Sequence, residues 1–127
     1  MSERTVYEYA VVRVIPRVER EEFVNVGVAL YCKKQRYAAV KIHVDERKLQ
    51  ALYPALDLQL IRTHLDSFQR ICAGDKNGGS IAQLDQAERF RWLTAKRSTI
   101  IQCSAVHPGM CVSAEETLDE LFEKIVL

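Results

Sequence analysis

The run Phe23-Val24-Asn25-Val26-Gly27-Val28-Ala29-Leu30-Tyr31-Cys32 decides the class of fold. Side chains of a strand point alternately to its two faces. That period predicts a strand with Val24, Val26, Val28, Leu30 and Cys32 on one face and Asn25, Gly27, Ala29 and Tyr31 on the other. Gly27 has no Cβ, so something is expected to approach the backbone closely there.

Working outward, Val6 to Ile15 is rich in Val and Tyr and reads as a strand ended by Pro16. Lys33-Lys34-Gln35-Arg36 reads as a hairpin turn. A third strand follows, with Ala38, Val40, Ile42 and Val44 inward and Ala39, Lys41 and His43 outward. Helical signals then take over. Asp45 caps a short helix that Pro54 stops. Asp57 caps a longer one, whose Leu58, Ile61, Leu65, Phe68 and Cys72 form an apolar stripe at spacings of three and four, with Gly74 at its C-cap. Gly74-Asp75-Lys76-Asn77-Gly78-Gly79 reads as a loop. Ser80-Ile81-Ala82-Gln83 has capping-box form and opens a predicted helix to about Ala95; Ser113-Ala114-Glu115-Glu116 opens a C-terminal one. Between them, Thr99-Ile100-Ile101 is strand-like and His107-Pro108-Gly109 reads as a turn. Strands in a run followed by helices in a run predict an α+β fold. The expected architecture is a mostly antiparallel sheet of about four strands on three to four helices, in one domain over residues 1–127.

The 127 residues are 48% hydrophobic and 28% charged, as in a globular chain with a core of its own. With 18 Lys and Arg against 17 Asp and Glu, the formal charge is +1. Such balance argues against a strongly basic nucleic-acid binder and leaves a local basic patch open. No apolar run approaches the roughly 20 residues of a membrane span, and Met1-Ser2-Glu3-Arg4-Thr5 has no secretory core. A cytoplasmic location is therefore expected, with the cysteines as thiols.

Three constellations could carry chemistry. Arg17-Val18-Glu19-Arg20-Glu21-Glu22 joins the first two strands, and Arg17 and Arg20 could grip an anion near Asn25. Asp85, Arg89, Trp92 and Lys96 fall on one stripe of the predicted helix, and Arg97 follows. Arg89, Lys96 and Arg97 beside Trp92 would suit a phosphate, a nucleotide or an acidic peptide, since arginine offers a planar donor fork and tryptophan a stacking face. The same residues also read as a surface Asp85–Arg89 pair beside a core tryptophan. Cys103, His107 and Cys111 share a C-x3-H-x3-C spacing, but without a C-x2-C knuckle no metal site is assigned and no cofactor is expected. His107 next to a cationic patch could act as a general base. Gly78-Gly79-Ser80 before a helix could bind an anion. The phosphate loop, the H-E-x-x-H motif and the G-x-S-x-G elbow are all absent.

Tyr7-Glu8-Tyr9-Ala10-Val11-Val12-Arg13-Val14-Ile15-Pro16, Arg20-Glu21-Glu22-Phe23-Val24-Asn25-Val26-Gly27-Val28 and Glu88-Arg89-Phe90-Arg91-Trp92-Leu93-Thr94, with Arg97-Ser98-Thr99, resemble a bacterial family labelled domain of unknown function 3037. The resemblance covers nearly the whole chain. It implies no activity, substrate or cofactor. It does imply a candidate partner, because genes of such members often lie beside one for a HipA-like kinase.

The leading expectation is a non-enzymatic binding or adaptor domain for an anionic partner, either an acidic or phosphorylated protein or nucleic acid, with Arg17, Arg20, Asn25, Arg89, Trp92, Arg97 and His107 as candidate binding residues. The alternative is a small enzyme acting on a phosphate-bearing substrate, with His107 as base and Arg89 and Arg97 stabilising charge. It requires those three side chains to converge. A homodimer formed through a sheet edge or an apolar helix face is the third reading.

Overall fold

The computed structural model describes residues 3–97 and 99–127. Its strands are β1 (Thr5–Val14), β2 (Val24–Cys32), β3 (Tyr37–Ile42), β4 (Ile101–Cys103) and β5 (His107–Cys111). Its helices are α1 (Glu46–Leu52), α2 (Leu58–Ala73), α3 (Gln86–Thr94) and α4 (Ala114–Ile125). Short 3-10 turns lie at Val18–Arg20 and Ile81–Gln83. The fold is α+β with one antiparallel sheet, of five strands rather than about four.

The sheet runs β3-β2-β1, and the far flank of β1 is shared by two short strands. β4 pairs with Val12–Val14, and β5 pairs with Thr5–Tyr9. Between them the chain bows outward at the exposed Ala105 and Val106. Ser104 keeps β1 satisfied across this gap. Its N–H donates to the Val11 carbonyl at 2.8 Å, and its buried hydroxyl accepts the Val11 N–H at 2.8 Å.

Both faces of the sheet are buried, each over part of its area. Val12, Val14, Val26 and Ala29 pack with Leu49 of α1, Ile61, Leu65 and Phe68 of α2, and Phe90 and Leu93 of α3. Val28, Leu30, Cys32 and Cys111 pack with Ala114 and Leu118 of α4 on the opposite face. This corrects the alternation expected for β2. Arg13 faces Asn25 and Val12 faces Gly27, so Val26 is an extra residue in a β-bulge. One inserted residue reverses the side-chain parity. Val24 and Val26 therefore face α2 and α3, while Val28, Leu30 and Cys32 face α4. On β3, Ala38, Val40 and Ile42 line the first core as expected, but Ala39 packs into the second.

The close approach expected at Gly27 is made by β3 itself. A Cβ on Gly27 would lie 2.5 Å from the Lys41 carbonyl oxygen and 2.6 Å from Ile42 Cδ1.

Asp45, Asp57 and Ser113 cap α1, α2 and α4 as predicted, each accepting a backbone N–H three residues on. The helix expected from Ser80 is corrected. Ser80 makes no side-chain cap, the 3-10 turn ends at Gln83, and Leu84 and Asp85 are extended. Asp85 is the true cap, accepting the Glu88 N–H at 2.8 Å, and α3 begins only at Gln86. An extended residue whose side chain already satisfies an orphan N–H cannot also continue a helix. The turn expected at His107-Pro108-Gly109 is also corrected to an edge strand, where a proline is tolerated. Gly109 admits the Tyr7 ring, whose Cζ would stand 2.5 Å from a Cβ there. Among the described residues, no helix is long and apolar enough to cross a membrane.

Candidate functional site

The loop after β1 pairs both of its arginines with its own glutamates. Arg17 Nε donates to Glu19 Oε1 at 3.0 Å, and Arg20 pairs with Glu22. The Arg20 guanidinium holds the Glu22 carboxyl below the ordinary carboxylate range. All four side chains are exposed, so these are solvent-screened pairs. Arg17 and Arg20 meet none of the other candidates in the observed hydrogen bonds or ion pairs.

Asn25 lies on the α4 face, where its Nδ2 donates to the Ile125 carbonyl at 3.5 Å. Its register partner on β1 is Arg13, whose guanidinium lies 4.2 Å from the centre of the half-exposed Phe23 ring. Arg13 Nε and Asn25 Oδ1 are buried without hydrogen-bond partners among the described residues. Sequence reasoning passed over Arg13. The available signal was a lone cation inside the apolar run Ala10-Val11-Val12-Arg13-Val14.

Arg89 is a structural clip. Its Nη1 donates to the Leu84 carbonyl at 2.5 Å and its Nε to the Cys72 carbonyl at 3.4 Å. It lies against Gly74, where a Cβ would come within 3.1 Å of its Cζ. Arg89 thereby ties the end of α2 to the lead into α3. The expected Asp85–Arg89 ion pair is not formed, because Asp85 is occupied as a cap.

Trp92 and Arg97 do come together. The Arg97 guanidinium lies 4.0 Å from the Trp92 ring centre and also donates to the Trp92 carbonyl. Trp92 is 39% exposed, so it is not a core residue. Both line a half-open cavity of about 360 Å³ between α2, α3 and β4. Phe68, Ile71, Leu93 and Ile101 give it apolar walls, and His64 stands on the α2 side. Cys103 also lines it, and burial pushes that thiol up to about 11 against the pull of Arg97 and Arg13. A thiol so shifted stays protonated and is a poor nucleophile near neutral pH. Among the described residues, no carboxylate lies within ion-pair distance of Arg97. A guanidinium held by an aromatic face and one carbonyl keeps other N–H groups for an incoming anion.

Of the cavity's α2 wall, the sequence reading reached Phe68, as part of the core stripe, but not Ser67 or Ile71. His64, Ser67, Phe68 and Ile71 recur at spacings of three, one and three, so they form a second stripe beside the core one.

His107 lies elsewhere. Its ring centre is 5.3 Å from that of Tyr9, its register partner, and Tyr9 packs into the α4-side core. Arg89 and Arg97 belong to the α2/α3 side, so the His107–Arg89–Arg97 convergence required for an enzyme site is not formed. Cys103 is likewise separated by the sheet from Cys111. Among the described residues, no group of three His, Cys, Asp or Glu side chains is placed to hold a metal ion. Ser80 opens only a three-residue 3-10 turn, so Gly78-Gly79-Ser80 presents no helix terminus to an anion.

A family model described as protein of unknown function (DUF3037) matches residues 9–126. No curated protein and no solved structure matches the chain.

Proposed function

The chain belongs to the DUF3037 family, and from that premise we propose that it is a non-enzymatic binding or adaptor domain for an anionic protein partner. The working surface is the groove bearing Trp92 and Arg97. The observation that carries the reading is the Arg97 guanidinium, stacked 4.0 Å from Trp92 at an apolar cavity of about 360 Å³ and, among the described residues, without a carboxylate of its own. An apolar concavity with one oriented polar anchor is the usual form of a recognition site. The other candidate arginines are less available. Arg17 and Arg20 are matched by Glu19 and Glu22, and Arg89 is held by main-chain carbonyls. The partner offers an apolar group next to an acidic or phosphorylated one, and a HipA-like kinase is the candidate supplied by the family resemblance.

Co-purification with such a kinase tests the reading. Arg97→Ala and Trp92→Ala are expected to weaken association at least tenfold, as buried Arg and Trp anchors do. Arg17→Ala is expected to leave it unchanged. Undiminished association in both groove variants would remove the groove from consideration.

A further inference from the structure

The groove is bounded on one side by an open sheet edge. β4 pairs with β1 on its inner side, and among the described residues no strand lies on its outer side. The phase of the ladder identifies which groups face outward. Ile15 N–H donates to the Ile100 carbonyl at 2.7 Å, and Ser104 N–H donates to the Val11 carbonyl at 2.8 Å. Gln102 is opposite Arg13 in the same register. Main-chain groups of 100, 102 and 104 therefore point to β1, and those of Ile101 and Cys103 point away from it. The Ile101 carbonyl accepts the Thr99 hydroxyl at 2.7 Å. Among the described residues, the Ile101 N–H and both main-chain groups of Cys103 have no main-chain partner on the outer edge, and both residues line the cavity.

Three features thus adjoin: outward main-chain groups, an apolar cavity and a cation on its wall. Resting on the groove being the binding site, we infer that its occupant is the C-terminal end of a partner chain, added as a strand along β4. The last side chain enters the cavity, and the terminal carboxylate meets Arg97. The volume of about 360 Å³ leaves ample room for a large apolar side chain. In a C-terminal residue the carboxylate and the side chain leave the same carbon, which fits a cation on the cavity wall. An internal acidic residue would send its adjacent residues to the opposite face of an extended chain, and the next side chain on its own face would stand two residues away. Strand addition supplies main-chain bonds, and the side-chain cavity with its carboxylate anchor supplies selectivity. The cation's fork favours a planar carboxylate, which takes two parallel N–H bonds.

Trp92 is the single tryptophan and lies in the site, so its emission reports occupancy directly. The titrants are acetylated hexapeptides Ala-Thr-Thr-Val-Thr-X with X as Phe, Leu or Val. Each is made as the free acid, as the C-terminal amide, and as the acid with its last peptide nitrogen methylated; 3-phenylpropionate is a further titrant. At least one free acid is expected to shift Trp92 emission saturably. Its amide and its N-methyl form are each expected to bind at least tenfold more weakly. Arg97→Gln, with unchanged far-UV circular dichroism, is expected to lose at least tenfold for the acid and little for the amide.

Equal binding of acid and amide would overturn the carboxylate assignment. Binding of 3-phenylpropionate as tight as that of the best peptide would overturn strand addition and make the cavity a small-molecule site. No emission change with any free acid would overturn the inference outright. Co-purification that still depends on Arg97 would then leave the groove standing as a protein-binding surface engaged by another segment.

Discussion

Two residues show how single positions constrain this chain. Gly27 sits where β3 crosses the β2 bulge, and a methyl group there would meet the Lys41 carbonyl at 2.5 Å. Main chain inside a sheet cannot swing aside as a side-chain tip can. Gly27→Ala is expected to destabilise by about 2 kcal/mol, within the range for overpacking a dense interior, read as a lower urea midpoint with an unchanged slope. Arg97 shows the opposite condition. It is oriented by an aromatic face and a carbonyl, and among the described residues no acid pairs with it. Both residues are visible in the sequence, but their settings differ in legibility. A glycine inside a strand pattern announces a close approach without saying by what. An arginine announces a charge without saying what neutralises it. The pairing of Arg17 with Glu19 is local in the chain and within reach of a sequence reading; the diversion of Arg89 to the carbonyls of Leu84 and Cys72 is not.

At the level of elements, the segment from Ser80 to Thr94 holds two competing helix starts. Both Ser80 and Asp85 are good cap residues, and the structure uses only the second. Asp85→Ala is therefore expected to cost about 1 kcal/mol, the usual loss for a cap. Ser80→Ala is expected to stay within about 0.5 kcal/mol, as surface changes do. Paired urea melts check the difference, and equal losses would mean that Ser80 contributes a cap after all. The shift has a consequence for the junction of α2 and α3. α3 begins beyond Leu84, which leaves that carbonyl for Arg89. β5 teaches a related lesson. Pro108-Gly109 carries every local mark of a turn, yet pairing to Tyr7 and Glu8 makes it a strand. Tertiary pairing overrides local propensity where the partner strand is already in place.

For the whole molecule, the shared sheet couples two cores. Val12 and Val26 serve one face while Val28 and Leu30 serve the other, so β1 and β2 cannot lose either layer without exposing apolar surface. Alkaline pH offers a test of the α2/α3 core. Burial pushes the Cys72 thiol up to about 12 and the Cys103 thiol up to about 11, from an ordinary 9.0. In the unfolded chain both ionise near that ordinary value, while in the folded chain they keep their protons. The folded state therefore binds more protons above pH 9, and stability falls as pH rises toward 11 and 12. Below pH 9 their contribution is complete. Urea midpoints under reducing conditions are expected to fall between pH 8.5 and 10. The fall is expected to be smaller in the Cys72→Ala/Cys103→Ala variant, which lacks both thiols, but not absent, because burial raises Tyr7, Tyr37 and Cys111 as well and they act in the same direction. An identical fall in both proteins would mean that these thiols are solvated in the folded state.

From its own order of residues the chain determined the α+β class, the first three strands, and the caps at Asp45, Asp57 and Ser113. Periodicity and capping are short-range properties, carried within a few neighbours. Tertiary structure alone decided the Val26 bulge that turns β2 inside out, the division of the far flank of β1 between β4 and β5, and the company each arginine keeps. It also brought His64 and Phe68 of α2 to the same cavity as Trp92, Arg97 and β4. Those outcomes depend on which distant segments meet, and no local pattern encodes a meeting between residues thirty positions apart.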